Sequence, residues 1–311
     1  MTTRRDFGKI CAAAVLFGRR FLRAAGRVPL TWTVQPDSTA GWERRYRADA
    51  QIILLGIPVL HRSNVGDGSA GWRECAADDG TAVRMLEFTG RSAPERAAGL
   101  NRFGFIQELS RTVDASRREA IYFGLMTSSP EESAADARKA LHSTSKDAWY
   151  SVIEGRMGAD GIETARARFQ APARTSPGER QELIERARVA LANAEKTRNP
   201  AQSAPHPFLH ALASLLSGPR TAETQYAYNG RLYRLSVEKS PDAKAAALFR
   251  EQRLISAAAG VIRVAGSLRR LEGGKPTEFR LWVEDGSPRP LPLRIEYQPK
   301  SYLRLTFEAQ S

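Results

Sequence analysis

Cysteine is scarce in this chain. There are two among 311 residues, and Cys11 lies in an N-terminal segment that reads as a leader. A chain trimmed after that segment keeps Cys75 alone, which excludes an intramolecular disulfide. No C-x-x-C or Cys/His zinc spacing is present. Cys11 follows Gly8-Lys9-Ile10, without the small preceding residue and the apolar residue at −3 that lipid attachment requires. Long apolar runs are missing too. The longest candidate, Ile10 to Phe17, is far below the roughly 18 residues that argue a membrane span. No G-x-S-x-G, H-E-x-x-H or Cys/His nucleophile signature appears, so the usual hydrolase patterns find no match.

What remains is ordinary globular composition, 42% hydrophobic and 26% charged. The length allows one large domain or two small ones, with a substantial core. Acids are outnumbered, and the net charge is +13. Arg4, Arg5, Lys9, Arg19, Arg20 and Arg23 against Asp6 hold +5 of it, leaving +8 beyond residue 26. Those later arginines alternate with apolar residues instead of forming a basic stripe with stacking aromatics. That pattern reads as a solvated face and argues against a nucleic-acid partner. A weak attraction to anionic lipid headgroups stays open.

The first residues carry a more specific signal. Thr3-Arg4-Arg5-Asp6-Phe7-Gly8-Lys9 resembles the bacterial twin-arginine translocation signal, with Arg4, Arg5 and Phe7 at its defining places. A short, alanine-rich apolar run follows at Ile10 to Phe17, and Ala24-Ala25-Gly26 is the nearest small-residue cluster to a cleavage site. The resemblance implies export of residues 27–311 to the periplasm or beyond, with the twin-arginine machinery as partner. The alternative is a short basic amphipathic helix that stays on the protein.

Residues 27–45 read as a connecting segment, and Tyr46 to Leu60 as one strand, with Gly56 and Pro58 suggesting a bulge or edge. "GWREC" and "TAVRMLEFTG" read as strands joined through a turn at Asp78-Asp79-Gly80. Pro94 to Ala115 is expected to be helical, capped by Ser92, with Leu100, Phe103, Ile106 and Leu109 along one side. Residues 119–129 form an apolar strand. A second helix is expected from Ser129-Pro130 to about His142, then a hairpin of 149–155 with 162–170 around Ala159-Asp160-Gly161. A linker at 171–178 leads to a polar helix, about Pro177 to Lys196, and a small apolar helix from Phe208 to Leu216. No internal repeat is visible.

The last ninety or so residues alternate cleanly. Strands are expected near 224–228, 231–238, 248–257, 260–271, 277–284, 291–298 and 302–309, with turns at Asn229-Gly230, Gly273-Gly274 and 285–288. Ile262, Val264 and Leu268 share a face with Phe279, Leu281, Val283, Leu291, Leu293, Ile295, Tyr297, Leu303, Leu305 and Phe307. The other face carries Arg263, Arg280, Glu284, Arg294, Glu296, Arg304 and Glu308, which allows cross-strand ion pairs. So many apolar side chains need cover, each worth about 1.5–3 kcal/mol when buried. The helices at 94–115, 130–142, 179–196 and 208–216 are the natural cover.

Leu281-Trp282, Glu284-Asp285 and Pro292-Leu293-Arg294-Ile295 give this tail a resemblance to the C-terminal strands of a bacterial family of exported proteins of unknown function, related in fold to the periplasmic lipoprotein carriers. The resemblance implies a curved, half-open antiparallel sheet wrapped around a helix or an apolar ligand. It transfers no functional residue.

Other chemistry-bearing patterns have plain explanations. Gly66-Asp67-Gly68-Ser69-Ala70-Gly71 matches G-x-G-x-x-G, but no helix follows it, so glycines in a bent strand are expected. His206 and His210 have helical spacing for two metal ligands but no third partner, and Pro205 and Pro207 mark a helix start. Asp78-Asp79 and Glu131-Glu132 belong to a turn and a helix N-terminus, and His61 to a strand end.

The expectation is therefore an α+β fold in one domain over 27–311: a curved, half-barrel-like antiparallel sheet covered by several helices, with helical insertions at about 94–142 and 177–217. Its candidate site is the apolar face of Phe279, Leu281, Leu293, Ile295, Leu305 and Phe307, free of cofactor and metal. The leading reading is a non-enzymatic envelope protein that binds a lipid-like or other apolar ligand. A hydrolase or transferase with an unrecognised cleft, and a structural envelope protein that associates through a strand edge, are the alternatives. Whether the concave face is open or filled by the chain's own helices is the deciding point.

Overall fold

The computed structural model describes residues 40–54, 57–77, 79–97, 102–113, 118–128, 147–159, 161–172, 177–199, 206–300 and 303–311. Arg4, Arg5 and Phe7 of the expected leader, and the expected helix at 130–142, lie outside them.

Fourteen strands build one sheet: β1 (Ala40–Leu54), β2 (Ile57–Ala76), β3 (Ala82–Ser92), β4 (Phe103–Thr112), β5 (Arg118–Thr127), β6 (Asp147–Gly158), β7 (Gly161–Pro172), β8 (Lys196–Asn199), β9 (Thr221–Tyr228), β10 (Arg231–Pro241), β11 (Val261–Arg270), β12 (Thr277–Glu284), β13 (Arg294–Lys300) and β14 (Leu303–Ala309). Three helices are described: α1 (Pro177–Ala192), α2 (Phe208–Ser217) and α3 (Ala243–Glu251). None is long and apolar enough to cross a membrane.

The spatial order is β8-β7-β6-β5-β4-β3-β2-β1-β14-β13-β12-β11-β10-β9, antiparallel throughout and not closed. The chain runs outward from the middle to β8, crosses through α2 to the far edge, and returns to the middle. β8 is a four-residue edge carrying Lys196 and Arg198, and β9 is bridged by Pro207 at Ala227. Both devices blunt an edge.

The alternation of the tail sets one register. Val264, Leu281, Ile295, Phe307 and Ala48 lie opposite one another across successive strands. On the outer face Arg280 pairs with Glu296 at 3.5 Å, and Glu308 takes both Arg47 and Arg294. These exposed pairs add little stability each. The burial does more. The sheet curls until Ile106, Tyr122, Ile153 and Ile162 of β4–β7 share a cluster with Tyr226, Leu235, Val264 and Leu281 of β9–β12.

The cover is thus mostly the sheet itself, and the expectation of several covering helices does not hold. Of the three described helices, only α2 lies in the concavity. α1 packs on the outer face, where Leu183, Ile184, Ala187 and Leu191 bury Phe103, Phe105, Leu125, Tyr150 and Val152. The expected helix at 94–115 is one turn at 94–97 and then strand β4. Apolar residues on both sides of β4 mimicked a helical period: Phe103 and Phe105 face α1, Leu109 on the same side packs with Val83, Met85 and Ile121, and Ile106 faces inward. The single strand expected at 46–60 is the β1–β2 hairpin, in which Leu54 pairs with Ile57. The continuous apolar run hid the reversal.

The strand expected at 248–257 is instead helix α3. Its alanines favour helix, and Asp242 caps it by accepting the Ala245 amide at 2.9 Å. The other Asp242 oxygen accepts the Trp282 indole N–H at 2.9 Å. α3 covers the outer side of the sheet at Trp282, and the chain bends at Leu293 so that this side chain joins Phe249, Val261 and Trp282. Leu293 is fully buried there. Leu293→Ala is expected to cost about 2–5 kcal/mol by cavity formation, read by urea denaturation. A cost below about 1 kcal/mol would show that α3 collapses onto the gap.

Candidate ligand cavity

Along β2 the inward positions Gly66, Gly68 and Ala70 are small, and Gly90 of β3 lies opposite Gly68. Gly68 and Gly90 leave room where Phe307 lands; a Cβ on Gly68 would sit 3.2 Å from its ring, whereas one on Gly66 would meet the Arg91 carbonyl oxygen. Phe307 meets Phe88 edge to face at 5.5 Å. The G-x-G-x-x-G run is therefore the interior of strand β2, a seat for an aromatic ring and not a phosphate loop.

Above this floor lies α2. Its start is held by Glu108 of β4, fully buried, whose carboxyl accepts the His210 amide at 3.1 Å. The amides of Phe208 and Leu209 bond to the same carboxyl. Its other end is held by Lys239 of β10, whose Nζ donates to the carbonyls of Leu216 (2.7 Å) and Gly218 (2.6 Å). The Glu108 carboxyl satisfies open amides at the first turn, and the Lys239 cation at the other end complements the helix dipole. Lys239 is 7% exposed, and among the described residues its Nζ bonds those helix carbonyls.

The fit at Glu108 is incomplete. Its Oε1 finds no partner among the described residues, nor does the buried Tyr226 hydroxyl. Burial raises the Glu108 acid to about 8, against the pull of the three amides. Burial also lowers His210 to about 3 and His206 to about 4, and Arg84 and Arg118 push the same way. Both imidazoles are neutral at pH 7. His210 sets Nε2 3.4 Å from the Glu108 carbonyl, and His206 sets Nε2 2.9 Å from Arg118 Nη1. A cation beside the ring is the wrong neighbour for a metal ligand, and no group of three His, Cys, Asp or Glu among the described residues has metal-site geometry.

Between α2 and the sheet lies a cavity of about 130 Å³. Its floor is Ala70, Trp72, Leu86 and Phe88 with Phe279, Leu281, Ile295 and Phe307; one wall is Leu209, Leu212 and Leu216 of α2. The other wall is a strap, Pro290-Leu291-Pro292, tied down by Tyr46 Oη to the Pro292 carbonyl (2.8 Å) and Arg44 Nη1 to the Leu291 carbonyl (2.8 Å). The one charged residue in the lining is Glu87, which faces Arg73 at 3.5 Å.

Of the six candidate residues, Phe279, Leu281, Ile295 and Phe307 line this cavity. Leu305 shares their face and packs beside Tyr46 and Phe307, and Leu293 belongs to the other side of the sheet. Glu108 and Lys239, the two groups that fix α2, were not singled out in the sequence. Glu108 was hidden by the helical reading of β4. Lys239 had a signal: in "RLYRLSVEKS" it falls on the apolar side of the alternation.

No family model matches this chain, and no curated protein does. Among solved structures, it is similar to the crystal structure of a β-barrel-like protein of the domain of unknown function DUF1849 from Brucella abortus, at 9% identity and a TM-score of 0.44, over 86% of this chain and 95% of that one.

Proposed function

We propose that this chain is a non-enzymatic, exported β protein that holds an apolar ligand, such as part of an acyl chain, between α2 and the sheet. The observation that carries the reading is the cavity itself: apolar except for Glu87, and bounded by a helix whose Leu209, Leu212 and Leu216 stay only partly buried. An apolar surface kept from full packing in a fold this extensively buried is the usual mark of a binding site. A cavity near 150 Å³ takes a benzene-sized group. A short alkyl segment therefore fits as the protein stands, and a longer chain needs the 290–292 strap or α2 to move outward. Export is supported by Arg4, Arg5 and Phe7 in their twin-arginine-like setting.

Native mass spectrometry of the protein purified from the envelope tests the reading, with a neutral naphthylamine probe as the second readout. Acyl-sized adducts and saturable probe fluorescence are expected. Leu212→Trp or Ala213→Leu, which fill the space, should weaken probe binding about tenfold, the effect of losing about 1.4 kcal/mol. Absence of both adduct and saturable signal overturns it, as does unchanged binding in both folded variants.

A further inference from the structure

A second cleft opens on the concave side, of about 360 Å³, between β4–β7 and the tip of the β9–β10 hairpin. Its apolar part is Ile106, Met126, Ile153 and Tyr228. Its polar part is unusual for the interior of a curled sheet: Arg166, Arg168 and Arg231, with Ser151 and Asn229, and no carboxylate in the lining. Arg166 and Arg168 are successive inward positions of β7, so their guanidinium groups stand on one side of the sheet. Arg166 Nη2 donates to the Asn229 carbonyl, which ties the hairpin tip across the opening. Arg168 lies over the Trp149 ring at 5.3 Å and donates to Ser128 Oγ at 3.0 Å. These contacts orient both cations without neutralising them.

Ile106 lines this cleft and also the apolar cavity under α2. A cationic mouth and an apolar chamber thus share one wall. We infer that the ligand is an anionic amphiphile, an acyl lipid whose headgroup carries a net negative charge with no cation of its own. This inference rests on the cavity reading above. The headgroup phosphate or carboxylate takes the arginine fork geometry, and the chain passes Ile106 into the space beneath α2. Two or more guanidinium groups around one anion in a partly dry cleft bind it far better than scattered surface arginines do. A zwitterionic headgroup would bring its own ammonium against the guanidinium groups of Arg166 and Arg168 and lose that gain.

The test is a titration of the full chain with lysophosphatidylglycerol and with lysophosphatidylcholine of the same acyl length, below micelle formation and at 0.15 M salt. A fatty acid of that length separates carboxylate from phosphate. The anionic lysolipid should bind at least tenfold tighter than the zwitterionic one. The double variant R166Q/R168Q should bring the two within about twofold. Arg168→Gln alone keeps the Arg166–Asn229 tie and should lose at least threefold of the preference if the double variant fails to fold. The charge-matched control R263Q/R269Q removes exposed outer-face arginines and should leave the preference intact. Equal binding of both lysolipids by the native protein overturns the headgroup assignment and leaves the apolar cavity standing. Binding of neither overturns both. A preference lost equally in the control reduces the effect to general basic charge and also overturns the assignment.

Discussion

Gly155→Ala is expected to cost about 3–5 kcal/mol of stability, a large share of the roughly 5–15 kcal/mol that holds a typical protein folded. Tyr122 of β5 lies flat over Gly155 of β6, and a Cβ there would stand 2.1 Å from the ring's Cζ. The ring cannot yield. It is fully buried, packs against Tyr228 with centroids 5.8 Å apart, and reaches Thr164 Oγ1 at 3.4 Å. Expelling it forfeits about 1.5–3 kcal/mol of burial and about 1 kcal/mol of hydrogen bonding, with strain besides. Gly158→Ala, three residues along the same strand, meets open space and should fall within about 0.5 kcal/mol of the parent. Equal losses in the two variants, measured by urea denaturation, would refute the packing argument.

The second large effect is a stability maximum near pH 6.5 that owes its upper flank to Glu108. The folded protein holds this acid protonated up to about 8, whereas an unfolded glutamate releases its proton near 4.3. Between those values the folded state binds the extra proton, so stability falls as pH rises. His206 and His210 act oppositely. They stay neutral down to about 4 and about 3 when folded, but take protons near 6.5 when unfolded, so stability rises with pH up to 6.5. Two histidines against Glu108, with buried Glu154 also raised and acting with Glu108, leave a net rise of at most about one proton, or 1.4 kcal/mol per pH unit, below 6.5, and a fall of about that slope from there to about 8.

Glu108→Gln keeps an acceptor for the α2 amides and has nothing to titrate. Its stability should be flat between pH 6.5 and 8 and climb more steeply than the parent's below 6.5, while Arg84, Arg118, Tyr122 and Tyr226 around the site are unchanged. Denaturation midpoints at half-unit pH steps read both flanks. An identical upper flank in E108Q and the parent would show that another group sets it.

How much of this could be read in the chain follows from which residues answer to one partner and which to several. In β11–β14 each strand has one dry face, and strict alternation revealed Val264, Leu281, Ile295 and Phe307 together. Leu293 obeyed the same rhythm and still crossed to α3, because the bend before Arg294 is set by Trp282 and the strap, not by its own neighbours. In β4 both faces are buried, alternation vanishes, and Glu108 hid inside a false helix. The small helix at 208–216 was legible from composition. That it sits inside the sheet was not, since its place depends on an acid a hundred residues earlier and a lysine after it. The arginines of β7 looked like solvent-facing charge, because their cleft is made only when the β9–β10 tip arrives.

The outward-and-return path also has a bearing on synthesis. The first strand and the last are partners, Tyr46 with Ala309 through Ile52 with Leu303, at the centre of the sheet. Until Leu303–Ala309 leaves the ribosome, the nascent chain can hold only two separate half-sheets, each with a long unsatisfied border at the future seam. Such borders invite intermolecular pairing, and a closure spanning nearly the whole chain is slow. The seven residues that zip this seam are therefore the last strand of the described sheet to be made and the first whose loss would split it through its middle.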